Sequence, residues 1–175
     1  MSTAVFCIAT SEQHAGRIVD DLKASGFSSD DISVLLADRS TTRDFAHVHS
    51  TKAPEGAAAG AGTGGLLGGA LGWLVGVGSL AIPGAGPFIA AGPLMAALSG
   101  AAIGAAAGGL GGALIGMGVP EIEARQFEGK LNEGNVVLSV HSDDPDTTRL
   151  VKDIFNRNHA SDVCTATESA VQPRE

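Results

Sequence analysis

An uncharged stretch, residues 56–119, constrains this chain more than any other feature of its sequence. It contains no Asp, Glu, Lys, Arg or His, although 17% of the whole chain is charged. Glycine recurs there at every fourth position in two runs: Gly56, Gly60, Gly64, Gly68, Gly72 and Gly76, then Gly100, Gly104, Gly108, Gly112 and Gly116. Residues four apart lie nearly above one another on a helix, so each run would form a strip without side chains. The pattern predicts close helix–helix packing of the small-xxx-small kind.

Residues 78–93 interrupt this pattern because prolines are too dense there to continue a helix. We therefore expect a turn, with the two glycine runs as the arms of a helical hairpin. Arms over residues 60–80 and 94–117 would span about 30 Å or slightly more, which matches a bilayer core. Among the glycines of these two runs, those from Gly60 to Gly76 and from Gly100 to Gly116 are the candidate packing and oligomerisation residues. The residues assigned to the turn are Pro83, Gly84, Gly86, Pro87 and Pro93.

Such a glycine content needs an environment that enforces a helix. Glycine costs about 1 kcal/mol per residue relative to alanine in a helix interior, so the segment should not hold a helix alone in water. In hydrocarbon an unpaired backbone amide costs several kcal/mol, which favours the helix. A bundle that buries the helix inside protein would supply a similar constraint. The sequence leaves both environments open.

The two flanks, about 55 residues each, together suffice for one compact core. Residues 4–10 and 31–37 predict buried strands around a helix that begins after Ser11. Beyond the uncharged stretch, a helix from Pro120 to Gly134 precedes a strand, a helix and a last strand at 162–167. This order is that of an α+β, ferredoxin-like (split βαβ) domain whose first and fourth strands are neighbours. The predicted division is residues 1–55 and 120–167 for its two halves, 56–119 for the hairpin and 168–175 for a disordered tail.

Charge and the termini limit the partners. The net charge is −8 and the pI is about 5.0, with no basic stripe, so we expect no nucleic-acid binding. The N-terminus shows no secretory signal, and two cysteines, Cys7 and Cys164, do not form a disulfide framework. Basic residues before and after the hairpin would hold both ends in the cytoplasm. The expected location is the cytoplasmic membrane with both termini cytoplasmic, or else the cytoplasm.

No constellation predicts catalysis. Residues 60–65 match G-x-G-x-x-G, but a dinucleotide site needs a preceding strand and an acidic residue about twenty positions later. His47 and His49 could hold a metal, although two histidines in a polar loop are more often solvated. Ser79 and Ser99 have no base within the uncharged stretch. We expect no enzyme, no cofactor and no metal site.

Several short motifs resemble a known family. They are KAPEGA at residues 52–57, IPGAGP at 82–87, AGPL at 91–94 and GVPEIEA at 118–124. They are similar to those of small bacterial general stress or low-temperature-induced proteins that carry a glycine-zipper membrane segment. The resemblance covers roughly residues 27–140. It implies a stress-linked, membrane-associated protein and brings no catalytic activity or cofactor.

Three functions follow as hypotheses. The first is a non-enzymatic homo-oligomer whose glycine zippers stabilise, remodel or perforate the lipid bilayer. The second is a soluble particle or filament in which hairpins are buried between subunits. The missing aromatic belt favours it, because Trp73 lies well inside the first arm. The third is a membrane-anchored, ferredoxin-like module that senses a ligand.

Overall fold

The computed structural model describes residues 3–38, 74, 78–82, 86–100 and 102–167. In these parts strands and helices are mixed along the chain. The strands are β1 (Thr3–Ala9), β2 (Ile32–Ala37), β3 (Gly78–Ile82), β4 (Gly86–Ala91), β5 (Val136–Ser142) and β6 (Ser161–Thr167). The helices are α1 (Glu12–Ala24), α2 (Pro93–Gly100), α3 (Ala102–Gly116), α4 (Glu121–Glu133) and α5 (Pro145–Arg157).

The strands form one sheet in the order β3-β4-β2-β5-β1-β6, and every neighbouring pair is antiparallel. β5 lies between β1 and β2, so α1 crosses from one to the other over an intervening strand. In the same way, α5 links β5 to β6 across β1. β1 pairs with β6 from Thr3↔Thr167 to Phe6↔Cys164, which brings the first and last strands together as predicted. The mixed α/β class with an antiparallel sheet is confirmed.

One side of the sheet, the first face, is covered by α1 and α5. Side chains of α1 such as Ile18 and Leu22 meet Ile154 and Phe155 of α5 over alternate residues of the strands. Both helices are amphipathic and begin at side-chain caps. Ser11 accepts the His14 N–H at 3.1 Å, and Asp144 accepts the N–H groups of the first turn of α5. Such caps satisfy backbone donors that a helix start leaves open.

The opposite side, the second face, is covered by α2, α3 and α4. Its core contains Phe6 and Phe88 from the sheet and Phe127 from α4, together with apolar side chains of α2 and α3. The rings of Phe6 and Phe127 stack with centroids 6.1 Å apart. Alternation along the strands produces the two cores, because successive side chains point to opposite faces. The sheet is therefore sandwiched between two helical layers.

The glycine-rich stretch does not form the predicted helical hairpin in its described parts. Residues 78–80 were expected to end the first helical arm, but they lie in β3, which pairs with β4 from Gly78↔Ala90 to Ile82↔Gly86. The stretch expected as a turn thus contains two paired strands. Leu74, which is separated in sequence from the other described residues, is buried in the core of the first face. These parts of the stretch belong to the same sheet and cores as the flanks.

The second arm, expected as one helix over residues 94–117, is divided. α2 ends at Gly100, and α3 contains two residues, Gly108 and Gly109, with non-helical backbone angles. Within the described residues, no helix is both long enough and apolar enough to be a membrane span. The arm instead lies along the second face, where Leu94, Leu98 and Leu114 are buried.

Candidate helix-packing site

The start of α2 is fixed to β2 by a close backbone contact. Gly92 has a positive φ of 77°, and a Cβ added there would lie 2.1 Å from the carbonyl oxygen of Ile32. The next free amide, Leu94 N–H, donates to the buried Ser33 Oγ at 3.0 Å. Ser33 is thus a helix cap supplied by a distant strand, since Pro93 at the first helical position has no N–H to satisfy. Only glycine fits this corner.

The break in α3 lies at two successive glycines. Gly108 has φ −138° and ψ 16°, whereas Gly109 has φ 61° and ψ −150°, a combination that is essentially restricted to glycine. The helix resumes at Leu110, whose N–H donates to Oε1 of Glu128 at 3.1 Å. Glu128 belongs to α4, so one helix of this layer caps the restarted half of another. A carboxylate suits that position because the N-terminal end of a helix is partly positive.

Close approach between α3 and α4 occurs at Gly111. A Cβ there would lie 2.9 Å from Glu128 Oε2 and 3.9 Å from the carbonyl oxygen of Ala124. At the end of α3, Gly118 has φ 92°, and an added Cβ would lie 2.5 Å from the carbonyl oxygen of Thr167. The glycines that permit tight packing within the chain are therefore Gly92, Gly111 and Gly118. Gly111 and Gly118 lie outside the predicted four-residue register.

The predicted packing glycines of the second run lie within α3 or at the end of α2. Gly108 and Gly116 are exposed, and a Cβ added at either would meet nothing within 4 Å. Gly112 is half-buried in α3, Gly100 ends α2, and Gly104 lies in α3. The break at residues 108–109 interrupts the helix on which the register was counted, so the strip is not continuous. The first-run glycines, Gly60, Gly64, Gly68, Gly72 and Gly76, lie outside the described residues, as does Gly56.

Of the predicted turn residues, some lie outside the described residues and the others belong to a strand or a helix. Pro83 and Gly84 lie outside the described residues. Gly86 and Pro87 belong to β4, and Pro93 is the first residue of α2. The turn expected between two helices is thus partly strand.

Two exposed apolar side chains lie where α3 gives way to α4. Ile115, near the end of α3, is 41% exposed, and Ile122, in the first turn of α4, is 72% exposed. Gly116 and Gly118 between them are exposed too. We call Ile115, Gly116, Gly118 and Ile122 the α3–α4 corner. It presents apolar surface to solvent at the end of the second helical layer.

The two cysteines lie in neighbouring strands but belong to different faces. Cys7 is buried in the core of the first face, whereas Cys164 packs against the core of the second, and both thiols are free. Burial, followed by the nearby Cys164, raises the pKa of Cys7 well above its ordinary value. Burial also raises the pKa of Cys164 to about 11. Both residues are therefore protonated near neutral pH, which opposes a reactive redox pair.

A buried histidine and an ion pair each join separate elements. His14 is buried: its Nδ1 accepts the Thr10 N–H at 3.2 Å, and its Nε2 lies 2.6 Å from the Asn158 carbonyl oxygen. It thereby joins the start of α1 to the end of α5. Lys130 of α4 forms an ion pair with Asp162 of β6. Within the described part of the chain, no group of three potential metal ligands occurs; His47 and His49 lie outside it.

Sequence reasoning missed the contacts of Ser33, Gly111 and Glu128. Ser33 and Glu128 reach partners far along the chain, and no local pattern distinguishes them from other polar residues beside apolar ones. Gly111 is one glycine in a tract where glycines are frequent. Gly92 and Gly118 did carry a signal, because each lies just before a helix that has proline at or next to its start.

The geometry defines a class of protein: a mixed α/β fold whose antiparallel sheet is covered on one face by an uncharged, glycine-broken helical layer and α4. Comparison with protein families adds that residues 7–79 match the family described as heat induced stress protein YflT domain. The match supports the resemblance to bacterial general stress proteins and a stress-related role. Comparisons with curated proteins and with solved structures find no match.

The matched region does not contain the whole sheet. It includes only residues 7–9 at the end of β1, then α1 and β2, and it ends at the beginning of β3. β5, which lies between β1 and β2 and pairs with both, comes from residues beyond the match. The similarity therefore covers the first half of an architecture that the second half of the chain completes.

Proposed function

We propose that this stress-related protein is not an enzyme and that it associates with itself through the surface of its glycine-rich helices. The carrying observation is the exposure of Gly108 and Gly116, where an added Cβ would have nothing within 4 Å among the residues that the structure describes. Bare backbone at the surface of a helical layer lets a helix of a second molecule approach closely. The proposed partner is another copy of the same chain.

The α3–α4 corner supports this proposal. A side chain such as Ile122, 72% exposed, gains about 25 cal/mol for each Å² of apolar surface that a partner covers. No charged residue of α3 has to be desolvated, because the helix carries none. The pair Glu121–Arg125 lies at the edge of this surface with N···O 2.8 Å, where it can remain hydrated.

We also propose that two parts of the fold have different roles. The strands β6, β1, β5 and β2 with α1 and α5 would be a ferredoxin-like unit. The segment from β3 to α3 would extend the sheet and provide the association surface. Association of intact subunits through this surface leaves the cores closed, which favours a soluble self-assembling structural protein.

The membrane remains a second candidate setting, and the absence of charge over residues 56–119 favours it. In that setting the second arm would have to leave the sheet. Its departure would uncover Phe88 and Phe127, both at most 1% exposed in the closed fold. Insertion would therefore need a gain in lipid that offsets the loss of the second-face core.

The proposal is tested by comparing Gly108→Leu with Gly129→Leu. Both glycines have nothing within 4 Å of an added Cβ, but Gly129 lies on α4, outside the uncharged stretch. In sedimentation velocity over a wide concentration range, we expect the wild type and Gly129→Leu to associate alike. Gly108→Leu should associate at least about tenfold more weakly, since the large side chain keeps helices apart. A monomeric wild type, or equal association of all three proteins, would contradict the proposal.

Fractionation of cells separates the two settings. A large particle that stays soluble without detergent would mean assembly of closed subunits. Pelleting that resists carbonate washing and requires detergent for release would mean insertion in the cytoplasmic membrane.

A further inference from the structure

Glu128 places a charged group against an apolar helix that has none of its own. Its side chain is half-buried; Oε1 accepts the Leu110 N–H at 3.1 Å, and Oε2 lies 2.9 Å from the position of a Cβ at residue 111. The absence of a Cβ at Gly111 allows the carboxylate this position. Both oxygens thus lie at the first turn of the restarted half of α3.

This turn needs an external acceptor. At the break, Gly109 adopts a backbone conformation open almost only to glycine, and the helix that follows lacks acceptors for its first N–H groups. In a charge-free segment, no side chain of α3 can act as a strong cap. Glu128 supplies a charged acceptor from the neighbouring helix, and a charged acceptor makes a stronger hydrogen bond than a neutral one.

We propose that Glu128 is a latch that holds the second half of α3 on the sheet. The residues that it secures include Leu110, Ala113 and Leu114, each fully buried in the second-face core. When the latch opens, this half-helix can leave the sheet and expose those side chains. A closed α3 keeps Ile115 and Gly116 in the α3–α4 corner. The use of that corner for association rests on the proposed function, whereas the latch itself does not.

Hydrogen exchange measures the latch directly. The quantity is the ratio of the exchange rates of the amides of residues 110–114 to those of β5, measured in the same sample of the full chain. This internal ratio separates opening of α3 from unfolding of the whole domain. Glu128→Ala should raise the ratio about tenfold, the typical effect of losing a helix cap.

Three further variants define the cause. Glu128→Gln keeps the shape and an acceptor oxygen but loses the charge, so its ratio should lie between those of the wild type and Glu128→Ala. Glu133→Ala removes one negative charge from the exposed end of the same helix and should leave the ratio unchanged. Gly111→Ala should reproduce Glu128→Ala, because the added Cβ displaces the carboxylate.

The outcomes decide two questions separately. If the ratio in Glu128→Ala equals that in the wild type or in Glu133→Ala, the latch is overturned, whatever the overall stability of the variant. Sedimentation of the same samples tests the link to association: since the proposed surface belongs to the closed fold, Glu128→Ala should associate more weakly than the wild type. A wild type that never associates contradicts the proposed function, while the exchange ratio still decides the latch.

Discussion

The two faces of the sheet are covered in different ways. On the first face, α1 and α5 are regular helices whose caps, Ser11 and Asp144, lie next to them in sequence. On the second face, α2 and the second half of α3 begin at caps from distant elements, Ser33 and Glu128. The helices of the first layer begin at local caps, whereas those of the second depend on contacts with elements that are separate in the sequence.

This difference explains how a glycine-rich segment can be helical without lipid around it. Glycine disfavours helices in water, but burial against the sheet supplies packing that an isolated segment lacks. Caps from distant elements accept one N–H at the start of α2 and one where α3 resumes. At residues 92 and 111, glycine also permits backbone or carboxylate contacts that a Cβ would obstruct. The second face therefore uses glycine for close approach within one subunit.

The largest expected effects compare the cores of the two faces. Phe155 of α5 and Phe127 of α4 are both fully buried. Replacing either with alanine should lower the free energy of unfolding by about 3–5 kcal/mol, as is typical for buried aromatic residues. Urea denaturation measures this, with Leu150→Ala, 41% exposed, as a mild control. A loss below about 1 kcal/mol for Phe127→Ala alone would mean that the second layer does not form a packed core.

A smaller effect compares two glycines with positive φ. Gly92 (φ 77°) would place a Cβ 2.1 Å from a backbone oxygen, whereas Gly26 (φ 92°), after α1, has nothing within 4 Å. Gly26→Ala should cost only the left-handed backbone penalty, about 1–2 kcal/mol. Gly92→Ala adds a backbone clash, so we expect a loss of about 3–4 kcal/mol. Equal losses for the two variants in thermal or urea unfolding would show that α2 is not held against β2.

The sequence predicts the helices outside the uncharged stretch well because their signals are local. Helical periodicity, Ser11 as a cap and Gly134 as a stop lie within a few residues of the elements they define, and the structure has them in those roles. Strands in a Gly/Ala-rich tract are harder to recognise from the sequence. In residues 78–91, glycine and proline obscure the alternation that identifies β3 and β4, so a turn between helices was the wrong interpretation there.

The packing glycines could not be selected from the sequence for a related reason. Spacing every fourth residue assumes one continuous helix, and the break at residues 108–109 removes that assumption. Which glycine meets a neighbour then depends on where α4 lies. The pairing of the first and last strands, in contrast, followed from connectivity, because β1 and β6 become neighbours once each β-α-β crossover spans an intervening strand.

The smallest effect concerns the acid sensitivity of the second face. Burial raises the pKa of Asp162, but hydrogen bonds from Lys130 and Ser161 and the Lys130 charge outweigh it, so the pKa lies below its ordinary value. The ion pair links α4 to β6. A lowered pKa means that the folded state favours the carboxylate; the stabilisation is complete above the unfolded value, near 3.9, and is lost as the pH falls through the folded value. Since solvent screens the pair, we expect at most about 1 kcal/mol.

Asp162→Asn tests this contribution because asparagine tolerates the positive φ of 51° at this position. Its stability should fall less steeply than that of the wild type between pH 5 and pH 3, as followed by urea midpoints. Lys130→Met, which removes the other partner, should show the same shallower slope. On the first face, hydrogen bonds from the side chain and N–H of Thr147 lower the pKa of Asp144, so the remaining acid dependence should persist in both variants. Unchanged slopes in both would mean that the link between α4 and β6 does not depend on charge, and that the second face is held by packing and long-range caps alone.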